Sequence, residues 1–126
     1  MRLTLAVALA AVLVAGCSVD TASPARAAER FHAALAAQRP DAACALLAKR
    51  TADKLPDPGQ SCAEALRELD LGAGGGVTDV SVWGDEAQVR LAGDTLFLHH
   101  YRDGWRVKAA GCRPMRDLPY ECEVES

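Results

Sequence analysis

The sequence predicts an α+β domain: N-terminal helices packed on a curved antiparallel sheet of four to five strands, held by two disulfides. Three observations carry this reading. The hydrophobic period changes from 3.6 to 2 across the glycine-rich run Gly72-Ala73-Gly74-Gly75-Gly76. Turn signals punctuate the second half at short intervals. Four cysteines follow the N-terminal apolar segment, enough for two covalent staples in a domain too small to bury a large core.

The chain has 126 residues, so it holds one small domain. Its first segment reads as a leader. Arg2 precedes an uncharged, mainly apolar run from Leu3 to Val14, shorter than the roughly 20 residues a spanning helix needs. The run ends at Val14-Ala15-Gly16-Cys17. These residues resemble the lipobox of bacterial lipoproteins, where an aliphatic and two small residues precede a cysteine. The resemblance implies cleavage after residue 16 and a diacylglyceryl group on the Cys17 thiol. The competing reading is an ordinary secretory signal cut near Ala25-Arg26-Ala27. With lipidation, residues 1–16 are discarded, residues 17–23 form a short tether, and residues 24–126 form the domain. Two or three acyl chains anchor firmly where one binds marginally.

The first helix is expected to start at Ser23-Pro24, with serine capping and proline in the first turn, and to run to Gln38. Ala28, Phe31 and Leu35 fall on one face. Pro40 opens a second helix, from Asp41 to about Lys54, carrying Cys44, Leu47 and Leu55 near one side. Pro56-Asp57-Pro58-Gly59 stops it. Ser61 and Glu64 match a capping box, so a third helix runs to about Leu69. The glycine-rich run reads as a flexible joint; it lacks the Gly-Lys-Ser/Thr ending of a phosphate loop.

Beyond it, Val80 and Val82 alternate with Ser81, and Gly84-Asp85-Glu86 turns the chain. Ala87, Val89 and Leu91 form the next strand, and Ala92-Gly93-Asp94 turns again. Thr95 to Arg102 is a longer strand. Asp103-Gly104 is a two-residue hairpin signal, followed by Trp105, Val107 and Ala109 in alternation. Gly111 to Ser126 is a tail, with a short fifth strand at Tyr120–Val124.

The cysteines stand at 17, 44, 62, 112 and 122. Lipidation of Cys17 turns an odd count into an even one. Outside the cytoplasm the remaining four form two disulfides. Of the three pairings, Cys44–Cys62 and Cys112–Cys122 are favoured because each closes a short loop. There is no C-x-x-C pair and no histidine three to five residues from these cysteines, so neither a metal site nor a redox pair is expected.

The helix pair with its cysteine, the hairpin Tyr101-Arg102-Asp103-Gly104-Trp105-Arg106-Val107, then Gly111-Cys112-Arg113-Pro114 and Tyr120-Glu121-Cys122 together resemble small actinobacterial lipoproteins. Their domain is similar to the nuclear transport factor 2-like and SnoaL-like cone. The resemblance implies a sheet wrapped against helices around a cavity, with His, Asp or Tyr inside it in the enzymes of the class.

Candidate acid/base residues are His32, His99, His100, Tyr101 and Asp103. Adjacent strand residues point to opposite faces, so His99 and His100 cannot chelate together. Leu96, Leu98 and His100 share one face, and Phe97, His99 and Tyr101 the other. His32 sits at the edge of the first helix's buried face. Trp83 and Trp105 read as core anchors, although Trp83 precedes a turn, where exposure would make it a partner contact. Arg113, Arg116, Asp117 and Glu121 read as a solvated loop.

The net charge is −3, or −4 once Arg2 is cleaved away, with no basic run, which argues against nucleic acid. The expected function is that of a lipid-anchored monomer on the outer face of the cell membrane. It binds an envelope protein or small ligand, or serves as an accessory, without cofactor or catalysis. The alternative is a small SnoaL-like enzyme with His99 or His100 as acid/base. An enclosed polar cavity of roughly 300 Å3 or more beside either histidine would favour the enzyme.

Overall fold

The structure, a computed structural model, describes residues 18–126; the leader, the lipobox residues and Cys17 lie outside the described residues. Four helices precede five strands: α1 (Ala22–Ala36), α2 (Pro40–Ala45), α3 (Lys49–Lys54), α4 (Cys62–Leu69), β1 (Val77–Trp83), β2 (Glu86–Leu91), β3 (Thr95–Tyr101), β4 (Gly104–Arg113) and β5 (Glu121–Val124). The strands form one antiparallel meander in the order β1-β2-β3-β4-β5. The expected α+β class, the meander and both favoured disulfides are present.

Helix α1 starts earlier than Ser23. Asp20 Oδ1 accepts from the amides of Ala22 and Ser23, and its other oxygen accepts from the Ser23 hydroxyl. A carboxylate can satisfy several free amides at a helix start at once, which is why Asp20 and not Ser23 takes that role. The Ser23 hydroxyl and amide bonds hold the Asp20 carboxyl below its ordinary range. On the inner face of α1, Ala28 and Phe31 are fully buried.

The segment after Pro40 is two short helices, not one. Between them Leu47 forms a parallel bridge to Val107. The Leu46 carbonyl accepts from the Val107 amide at 2.9 Å, and the Ala48 amide donates to the Val107 carbonyl at 2.8 Å. These strand-like bonds replace the helical ones and put Leu47 in the core. Buried Thr51 then donates its hydroxyl to the Lys108 carbonyl, fixing α3 on β4. The Ser61–Glu64 capping box forms with both of its bonds. The Cys44–Cys62 disulfide ties α2 to the start of α4.

Core residues come from the helices and from one face of the sheet. Phe31, Leu66, Val89, Leu96, Leu98, Val107 and Val124 are buried, and together they fill the space between the layers. The period-2 pattern therefore does what it predicts: one face of β2 and β3 is apolar and inward. The β3–β4 hairpin is offset by one residue from expectation. Its loop is Arg102-Asp103, and Gly104 pairs with Tyr101. Gly104 has φ +115°, which suits a glycine that follows the turn and starts the return strand. Cys112 and Cys122 face each other directly across β4 and β5. β1 pairs only with β2, so among the described residues its other edge is open; a register shift between Val77 and Asp79 interrupts that edge.

The glycine-rich run is packed, not a free joint. Ala92 donates its amide to the Gly76 carbonyl and Gly93 donates to that of Gly74. A Cβ on Gly74 would fall 2.5 Å from His32 Cγ, well inside any real contact. Gly74→Ala is expected to destabilise the fold by about 2 kcal/mol, as overpacking does. Gly76→Ala has open space and is expected to change stability by less than about 0.5 kcal/mol. Urea midpoints of the two variants check this, and equal midpoints would refute it.

Candidate functional site

A groove of about 610 Å3 lies at the end of the fold where the β1–β2 turn and the β3–β4 hairpin meet the first turns of α1. It is open to solvent. One wall is α1, contributing Arg26 and Arg30 one helical turn apart. The opposite wall is the hairpin, with His100, Trp105 and Arg106. Val19 and Asp20, at the first described residues, line its rim.

His100 stacks on Trp105, with ring centroids 4.9 Å apart. Its Nδ1 lies 3.7 Å from Asp85 Oδ1, too far for a hydrogen bond, and its backbone amide donates to the Asp85 carbonyl. Asp103 lines the same groove but is committed to Arg106, which donates to it from two nitrogens. Those hydrogen bonds lower the Asp103 carboxyl and raise the guanidinium. Arg106 also donates to the Ala45 carbonyl at 2.7 Å. Among the described residues, neither Arg26 nor Arg30 has a carboxylate partner. The groove therefore offers two guanidiniums outside any ion pair, Arg30 and Arg26, of which Arg26 donates to the Ser23 hydroxyl at 3.2 Å, beside a stacked aromatic pair and suited to an anion.

His99 occupies the other face of the sheet, as strand alternation requires. Its Nδ1 lies 2.6 Å from Glu86 Oε1, Lys108 Nζ donates to Glu86 Oε2 at 3.2 Å, and the Tyr101 ring packs on the imidazole. Burial on its own raises the Glu86 carboxyl, but the bonds from His99 and Lys108 outweigh it and hold it below 4.5. A carboxyl lowered on folding stabilises above its ordinary value, and that contribution is lost as pH falls through the lowered one. The trio is a third exposed, so the effect is expected to stay below about 1 kcal/mol. Glu86→Gln is expected to flatten the loss of stability between neutral pH and about pH 3. Denaturant midpoints measured down that range check it, and an unchanged slope would refute it.

His32 is more buried than a helix-edge position suggests. Its Nε2 lies 2.6 Å from Asp94 Oδ2, with side chains 6% and 4% exposed. Asp94 also accepts from the amides of Thr95, Gly111 and Cys112. His32 Nδ1 is buried without a partner in the fold. The pair has the geometry of a base and its orienting carboxylate, but the groove walls do not include it, and its carboxylate is spent on three backbone amides. It clamps α1, the β2–β3 turn and β4 together. Asp94 reads from sequence as a turn residue only. The one local signal for a greater role is that Ala92-Gly93-Asp94 combines a turn with an acidic residue directly before an apolar strand.

Trp83 does not anchor the core; it is 52% exposed on the outer face of β1. Trp105 is half-buried and packs against the core cluster. Arg113, Arg116, Asp117 and Glu121 are exposed, as a solvated loop requires. Among the described residues there is no group of three or more His, Cys, Asp or Glu able to hold a metal ion, and no helix long and apolar enough to cross a membrane. Comparison with protein-family models, with curated proteins and with solved structures gives no match.

Proposed function

We propose that the protein is a lipid-anchored domain on the outer face of the cell membrane that works by binding and not by catalysis. The observation that carries this reading is the cysteine usage. Two disulfides consume Cys44, Cys62, Cys112 and Cys122, leaving Cys17 as the one cysteine outside a bridge. That cysteine sits where Val14-Ala15-Gly16 ends the apolar run. Disulfides suit an oxidising compartment, and an alkylated Cys17 leaves no reactive thiol there.

Binding is favoured over catalysis by the filled interior. Phe31, Leu96, Leu98 and Val107 fill the space between the helices and the sheet. His100 faces an open groove, with no carboxylate within hydrogen-bond reach. The kinship we read with the nuclear transport factor 2-like and SnoaL-like domains rests on the sequence motifs quoted for it, and helices followed by a sheet are compatible with it.

The test is the fate of position 17. The native protein is expected to partition into the detergent phase and to yield an N-terminal peptide carrying acyl mass on Cys17. Cys17→Ser is expected to leave uncleaved precursor or protein in the aqueous phase. Normal detergent partitioning of that variant would overturn the anchoring.

A further inference from the structure

The groove end of the molecule gathers cationic and apolar groups beside the first described residues. Arg26 and Arg30 project from α1 without carboxylate partners among the described residues. Val19, 64% exposed, and Trp83, 52% exposed, stand at the same end, Trp83 between the groove residues Val82 and Gly84. At the far end of β4, ten residues and roughly 33 Å away, β5 and its flanks carry Asp117, Glu121, Glu123 and Glu125 against Arg113 and Arg116. Arg26, Arg30 and Arg106 against Asp20 and Asp103 leave the groove at net +1, and four acids against two arginines leave the far end at net −2, so the domain is modestly charge-polarised along β4.

We propose that this end docks on the bilayer, with Arg26 and Arg30 engaging the phosphates of anionic phospholipids while Val19 and Trp83 enter the headgroup layer. This rests on the anchoring of Cys17 proposed above. Two features single out a membrane as the occupant. The first is reach: Val19 is two residues from Cys17, so an anchored chain holds the groove rim within roughly 7 Å of the lipidated sulfur. That is about the depth of one headgroup layer. The second is complementarity. Arginines attract an anionic leaflet, an exposed tryptophan suits the interface between water and hydrocarbon, and the acidic far end is repelled outward. Together they turn a tether into a fixed orientation.

The experiment uses the acylated protein purified from membranes and reconstituted into phosphatidylcholine vesicles, with or without phosphatidylglycerol, whose acyl chains are brominated to quench tryptophan. The difference between the protein and its Trp83→Phe variant isolates the Trp83 signal. Trp83 is expected to be quenched in vesicles containing phosphatidylglycerol. Arg26→Gln with Arg30→Gln is expected to lower the docked-to-undocked ratio about 30-fold, from two lost charges at the surface. Both arginines are exposed, so the variant keeps the core intact.

Unquenched Trp83 in those vesicles, or quenching that survives loss of both arginines, would overturn the proposal. So would arginine-dependent capture of inorganic phosphate by the detergent-solubilised protein with no vesicle-dependent quenching, which would make the groove a site for a soluble anion. The mass of the N-terminal peptide from the same preparation reads acylation separately. An unmodified Cys17 overturns the anchoring alone. Flotation of that preparation with phosphatidylglycerol vesicles then tests the surface: arginine-dependent flotation supports docking, and its absence overturns it.

Discussion

Replacing Asp94 with alanine is expected to cost about 4 kcal/mol of unfolding free energy, a large part of what a domain of this size possesses. The carboxylate is 4% exposed and takes four hydrogen bonds: from His32 and from the amides of Thr95, Gly111 and Cys112. Alanine leaves three amides and an imidazole buried without an acceptor, and each orphaned group costs about 1–3 kcal/mol before water or relaxation recovers part of it. Asp94→Asn is expected to cost about half as much. Its carbonyl oxygen still accepts from Thr95 and Cys112, and its amide nitrogen can donate to His32 Nε2 if the ring proton moves to Nδ1. Urea denaturation of the oxidised protein ranks the two. If they cost the same, or if Asp94→Ala costs less than about 1 kcal/mol, Asp94 is not the clamp described here.

Removing the Cys44–Cys62 bridge by paired alanine substitution is expected to cost about 3 kcal/mol, the chain-entropy value for a loop of this length. The two cysteines are 18 residues apart and join α2 to α4. The segment between them is pinned to β4 at Leu46, Ala48 and Thr51, but Pro56 to Gln60, which leads into α4, is mostly exposed loop. Hydrogen exchange is expected to accelerate first in α2 and α4, while β2 and β3 stay protected. The Cys112–Cys122 pair, 10 residues apart, is expected to give a slightly smaller loss concentrated in β5, where it releases buried Val124. Uniform acceleration across the sheet after loss of Cys44–Cys62 would mean that the bridge acts on the whole domain.

These two effects also mark the border between what local sequence specifies and what it does not. The strands and the Ser61–Glu64 cap are legible because each depends on residues a few positions apart or on alternation within one strand, and the disulfide pairing because each bridge closes a local loop, with partners 18 and 10 residues apart. The helix through Asp41–Lys54 was misread because its interruption is imposed from 60 residues away, by the edge of Val107 bonding to Leu46 and Ala48. No periodicity in the helix encodes that. Asp94 was read as a turn residue for the same reason. Three of its four donors come from α1 and β4, and only Thr95 is local. The candidate site follows the same rule. Alternation places His99 and His100 on opposite faces, whereas Trp83, which reads as a core anchor, is exposed because it directly precedes the β1–β2 turn. The groove itself required knowing that the start of α1 meets two hairpin tips, which is a property of the assembled layers.

The outer edge of β1 has a consequence for self-association. An unpaired strand of seven residues can template another copy of itself, the route by which sheet proteins grow into fibres. Here the register shift at Val77/Asp79 breaks the run of evenly spaced amides and carbonyls, and the exposed carboxylate of Asp79 sits at the break. A second strand arriving at that edge meets a kink and a like charge instead of a continuous ladder. The irregularity thus makes this edge a poorer template for a filament than a regular strand of the same length.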